Sequence, residues 1–210
     1  MDNPKTLADF YQHAINVLFA FVIISSFDIA TVLFVPFDNL WDYKNFERAS
    51  ALIFVYFFII TGWIGYFKSI RHKEHTETKL GITRFAIDLF ILYLYYYLVT
   101  LIRNNTYSDI FNWGLPIIFG LYMLWDILKW FEYRQDPEEE RTGRINRALI
   151  TAILLGGVLI QSFIHYYIIT IIPPLFFGKI VIWELVFIIT SIIMVFLYRR
   201  RKWLVIEKTG

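Results

Sequence analysis

Asp28, His165 and Glu184 stand in stretches of sequence that otherwise avoid charge. Acids and histidines in such company are costly to bury, so each is a candidate for ion or proton handling. Gln161 shares a helical face with His165, and Ser25 lies close to Asp28. These residues form a candidate outer polar cluster. Asp28 has no basic neighbour in its own segment, so its partner must come from another element, with His165 and Arg48 as the available candidates. A second, inner cluster is formed by Arg84, Asp88, Asp126, Lys129 and Asn16. Arg84 and Asp88 are four residues apart and Asp126 and Lys129 three, spacings that allow ion pairs along one helix. Such a layer could be an interhelical salt-bridge network, with the basic ends reaching the membrane interface, or a gate. Between the two clusters no acid or base falls near the midplane.

Covalent and metal chemistry find little support. The chain has no cysteine, which excludes disulfides, thiolate metal sites and cysteine nucleophiles. His72-Lys73-Glu74-His75 places two histidines together but fixes no third ligand, so it reads as a solvated loop. Asn104-Asn105-Thr106 matches a glycosylation acceptor, read as a chance match close to lipid. No nucleophile elbow, zinc-protease motif, phosphate loop or potassium filter occurs. No cofactor and no metal are expected, and the chain is not expected to be an enzyme.

The elements that must position these residues follow from composition. Of 210 residues, 58% are apolar or aromatic and 18% charged, with a mean hydropathy of +0.53. A soluble domain carries nearer 45–50% and about 25%. Six apolar segments fall at about 14–36, 49–67, 82–102, 110–131, 147–172 and 179–198. Each is longer than a strand requires and lacks alternation, and a lipid-embedded backbone must satisfy itself within a helix or a closed barrel. The fold expected is all-α: a polytopic membrane bundle of six transmembrane helices, forming a single domain over 1–210. Pro36 and Asp38 are expected to close the first helix. Asp136-Pro137-Glu138-Glu139 is a helix start of cap, proline and first-turn acids, and Pro173-Pro174 ends that helix.

Charge sets the orientation. With the N-terminus cytoplasmic, only Lys44, Arg48, Arg103 and Lys179 of the 20 lysines and arginines lie outside. The remaining 16 lie inside, as the positive-inside rule requires. Both termini are therefore expected in the cytoplasm. Six tryptophans, Trp41, Trp63, Trp113, Trp130, Trp183 and Trp203, lie near segment ends, where interfacial rings are favoured. Tyr93, Tyr95, Tyr96 and Tyr97 crowd the third segment, as packing or as an aromatic lining.

Two functions compete. The first is a small ion channel or transporter in the cell membrane, its polar path built from the two clusters and its short helices completed by homo-oligomerisation. The second is a non-transporting scaffold, sensor or effector whose basic segments Lys68–Lys79 and Arg199–Lys202 attract anionic lipid. The bilayer is the expected partner in either case. A net charge of +2 is too small to imply nucleic acid.

Overall fold

The computed structural model describes residues 4–36, 38, 42–72, 78–106, 109–171 and 177–209, with the side chains of 4–8, 43, 69–72, 111, 169–171, 177–184 and 203–209 outside the description. Among the described residues every regular element is helical, and none is a strand. The helices are α1 (Pro4–Ile24), α2 (Phe27–Phe34), α3 (Tyr43–His72), α4 (Lys79–Arg103), α5 (Leu115–Glu132), α6 (Glu138–Ile171) and α7 (Phe177–Thr209). A single π turn, Ile110–Gly114, leads into α5.

Among the described residues, five helical stretches are long and apolar enough to cross a membrane: Asp9–Phe34, Lys44–Lys68, Lys79–Arg103, Asn112–Glu132 and Glu138–Ile168. Helix α7 carries the sixth apolar segment of the sequence. Its helix runs on past residue 198 through the basic run Arg199–Lys202.

The first segment departs from expectation. It is helical from Pro4, where a proline suits the first helical turn, but it breaks at Ser25–Ser26 rather than running unbroken to Pro36. Both serines turn their hydroxyls onto the helix behind them, Ser25 Oγ to the Val22 carbonyl at 2.8 Å and Ser26 Oγ to the Ile23 carbonyl at 2.6 Å. Such back-bonding competes with the regular ladder and bends helices. Ser26 is fully buried and also bonds the Tyr56 hydroxyl of α3 at 2.5 Å, which anchors the break.

Other boundaries follow local chemistry. Thr78 caps α4, its Oγ1 accepting from the Gly81 amide at 3.1 Å. At the other end the Thr106 amide reaches the Leu101 carbonyl at 2.9 Å and the Asn105 amide the Ile102 carbonyl at 3.3 Å. Asn105 sits at φ 60°, so an asparagine closes the paired carbonyl bonds where glycine is the usual choice. Helix α6 opens on Glu138, Glu139 and Glu140, acids that complement the positive end of the helix dipole. Its 34 residues span about 51 Å.

Helix α5 packs on α6 and α6 on α7 in antiparallel fashion, whereas α7 lies parallel to α3. Tyr11 of α1 stacks on Phe85 of α4 with ring centroids 4.1 Å apart, and Gly65 of α3 lies under Arg199 of α7. The start of α1, the end of α3, the start of α4 and the end of α7 thus meet at one end of the bundle, called here the basic end. The middle is filled by Phe54, Phe58, Phe119, Leu98 and Ile102, all fully buried. Phe58 contacts Phe119 at 5.5 Å and Tyr95 edge-on at 5.4 Å between ring centroids. The outward faces are apolar too: Ile153, Ile160, Phe163 and Tyr166 of α6 are all more than half exposed.

Candidate functional site

A cavity of about 60 Å³ opens at the basic end, room for a few water molecules. Among the described residues, six helices contribute to its wall. Ile15 and Phe19 come from α1; Gly62, Gly65 and Tyr66 from α3; Asp88, Ile91, Leu92 and Tyr95 from α4. Tyr122, Trp125, Asp126 and Lys129 come from α5, Arg147 from α6, and Arg199 and Lys202 from α7. The wall is mostly apolar and aromatic, with its charged groups toward the ends of α5, α6 and α7. Its inner limit is the aromatic layer of Tyr95 and Phe58.

Asp126 is the central acid, only 5% exposed. It accepts from Lys202 Nζ at 2.9 and 3.1 Å and from Thr151 Oγ1 at 2.5 Å. Lys202 also donates to the Tyr198 hydroxyl at 2.9 Å. Burial works to lower the Lys202 pKa, but Asp126 and Tyr198 outweigh it and hold the ammonium above its ordinary value. The ammonium therefore stays charged through the neutral range. The sequence spacing had suggested Lys129 as the partner of Asp126. The cation that reaches its carboxylate is 76 residues away, because α7 packs beside α6 and brings its basic end over α5. Lys129 lies over the Trp125 ring, 4.9 Å from its centroid.

Arg84, buried at 1% exposure, reaches across to Glu132 at 2.6 Å and lies over Trp125 and Tyr133. Arg144 similarly closes on Asp136 at 2.5 Å and on the Tyr133 carbonyl at 3.2 Å, tying the start of α6 to the end of α5. Arg199 differs from these. Its Nη2 donates to the Tyr122 hydroxyl at 2.9 Å, and its guanidinium lies over the Tyr122 and Tyr198 rings, 5.0 and 5.2 Å from their centroids. Among the described residues no carboxylate lies within ion-pair distance of Arg199 or of Arg147. Tyr95 and Tyr122 join hydroxyl to hydroxyl beneath it. A Cβ on Gly65 would stand 2.6 Å from Arg199 Nη1, so glycine leaves the space that the guanidinium fills.

The structure therefore brings Asp88, Asp126 and Lys129 to one cavity, while Asn16 stands beside it, accepting from Trp63 Nε1 at 2.9 Å. The outer residues do not assemble. Asp28 pairs neither with His165 nor with Arg48 but with Arg103 at 2.5 Å, and Arg103 also reaches the Ser25 carbonyl at 3.4 Å. That pair is surface-exposed, 48% for Arg103 and 64% for Asp28. Arg48 instead donates to the Ile102 carbonyl at 3.4 Å. His165 is 1% exposed, bonds Asn112 of the π turn through Nδ1 at 2.7 Å, and stands edge-on to Phe187. Gln161 donates to Ser191 Oγ at 2.7 Å and the Phe187 carbonyl at 3.0 Å, fastening α6 to α7. The side chain of Glu184 lies outside the described residues.

Of the basic run on α7, Arg199 and Lys202 turn inward and only Arg200 and Arg201 are exposed, which halves the charge this run presents to a surface. The side chains of residues 69–77, including His72-Lys73-Glu74-His75, lie outside the description. Among the described residues no three histidines or carboxylates come together as a metal site. Of the four neighbouring tyrosines only Tyr95 turns inward; Tyr93, Tyr96 and Tyr97 are exposed. The sequence reading missed Arg147, Arg199 and Lys202 as parts of the inner site, since Arg147 opens the fifth apolar segment and Arg199 and Lys202 fall past the end of the sixth. Their helical phase relative to Tyr198 and Thr151 was the available signal. No family model matches the chain, and neither a curated protein nor a solved structure matches it.

Proposed function

We propose that the chain is a six-helix integral protein of the cell membrane, with both termini and the basic end in the cytoplasm, and that it is a small transporter or channel without enzymatic activity. The observation that carries this reading is the cavity whose wall is built by side chains of six helices, α1, α3, α4, α5, α6 and α7. A cavity between packed helices, closed on the far side by an aromatic layer, has the form of a transport path open to one side only. The exposed apolar faces of α6 and α7 suit lipid contact, and the inside excess of basic residues favours the orientation.

The absence of native cysteine makes the test clean. Thr106→Cys is expected to react with a membrane-impermeant maleimide on intact cells, and Thr142→Cys only after permeabilisation. The reverse pattern overturns the orientation. For transport, the full chain in proteoliposomes is assayed with sodium, potassium, chloride, acetate and phosphate. Protein-dependent uptake of one of these, blocked by maleimide in a Leu92→Cys variant, is expected. Uptake of none overturns the transport reading.

The second reading, a non-transporting membrane scaffold or sensor, is favoured by one observation: the layer of Phe54, Phe58 and Phe119 closes the bundle below the cavity. Under that reading the cavity binds a ligand without passing it.

A further inference from the structure

We propose that the cavity at the basic end is a binding site for a phosphate monoester group. This deepens the reading of that cavity as a transport path and rests on it only for the direction of entry. Four cations line the wall, Lys129, Arg147, Arg199 and Lys202, against two carboxylates, Asp88 and Asp126. Lys202 and Asp126 neutralise each other directly. By formal side-chain charge the wall therefore holds a surplus of two positive charges in a space bounded by aromatic rings.

A buried cation without a counter-charge is expensive. Arg199 is 5% exposed, always protonated at physiological pH, and among the described residues supported only by a tyrosine hydroxyl and two ring faces. Among the same residues its Nε has no acceptor, and neither has the indole Nε1 of Trp125, another buried lining residue. Unused donors and unbalanced charge at the same wall describe an oxyanion site. Guanidinium groups bind phosphate in a bidentate fork. A phosphate monoester carries about −1.5 to −2 at neutral pH, which matches the surplus, whereas a diester headgroup carries one charge. Gly65 contributes by leaving room for the guanidinium at the wall.

The phosphate group has two sources with the same chemistry, a free solute or the headgroup of a phosphatidic acid. The experiment uses the full chain in phosphatidylcholine nanodiscs. Inorganic phosphate is titrated in one arm; in the other, the discs contain phosphatidic acid, with phosphatidylglycerol as the diester control. Binding is read calorimetrically and by tryptophan fluorescence. Saturable binding in at least one arm is expected, weakened roughly tenfold or more by Arg199→Gln and less by Arg199→Lys, which keeps the charge. Arg147 is only half-buried, so Arg147→Gln serves as the second variant should Arg199→Gln fail to fold. Binding in the first arm alone identifies a solute, and in the second alone a lipid. If neither phosphate nor phosphatidic acid binds better than chloride or phosphatidylglycerol, the site is refuted. Unchanged binding in a folded variant lacking either arginine refutes it equally. Saturable phosphate binding without any flux leaves the site and removes transport; flux of another solute without phosphate binding does the opposite.

Discussion

Replacing Asp126 by asparagine removes one charge from the most connected point of the basic end. The carboxylate and Lys202 Nζ are 2.9 Å apart, an attraction of about 6 kcal/mol at an effective permittivity of about 20. Not all of it is lost. Lys202 keeps the Tyr198 hydroxyl, and the asparagine oxygen still accepts. The variant nevertheless leaves a largely buried ammonium without its counter-ion, a change that costs about 3–5 kcal/mol. Thermal unfolding of the purified full chain in detergent, followed by circular dichroism, is expected to shift down by roughly 10 °C, since each kcal/mol is worth about 2–4 °C in a chain of this size. Asp126→Asn/Lys202→Met is expected to recover most of that loss, because removing both charges removes the desolvation cost with them. A shift of less than about 2 °C in the single variant refutes the buried-pair argument. So does a double variant as unstable as the single one.

Three further outcomes are expected. Asp28→Asn and Arg103→Ala should each cost no more than about 1 kcal/mol, because the pair is exposed; flux through the Asp28→Asn variant should equal wild type, and a large loss would restore Asp28 as part of a transport path. Gly65→Ala should displace the Arg199 guanidinium, since its Cβ would stand 2.6 Å from Nη1; in the nanodisc titration it should weaken phosphate binding while the far-ultraviolet spectrum is unchanged. Asn112→Ala should remove the hydrogen bond to the buried His165 Nδ1 and destabilise the protein by about 1–3 kcal/mol, measured by the same thermal unfolding, with little effect on that titration.

Much of the scaffold was legible in the sequence. The capped start of α6 at Asp136-Pro137-Glu138 and the apolar run that follows it are local facts, and the helix forms where they lie. The break in the first segment was less visible. Two serines in an apolar run signal a bend only once Ser26 meets Tyr56, a contact thirty residues distant. The inner polar layer was partly legible, because depth along a helix can be counted: Asp88 and Asp126 do line one cavity. Its cations at Arg147, Arg199 and Lys202 were hidden, since a basic residue at the edge of an apolar segment looks like an interface anchor.

The sequence by itself determined what depends on short-range geometry: where helices form, where caps fall, and at which end the positive charge accumulates. Only the tertiary structure decided which acid meets which base. Asp126 has Lys129 one turn away but closes on Lys202, and Asp28 closes on Arg103 seventy-five residues on. The spacing of three or four residues reports neighbours on one helix. The rotation of each helix about its axis, and the choice of the helix beside it, depend on side chains packing across the whole bundle. For that reason Arg199 reads as a surface charge in the sequence and becomes the buried cation of the cavity wall in the fold.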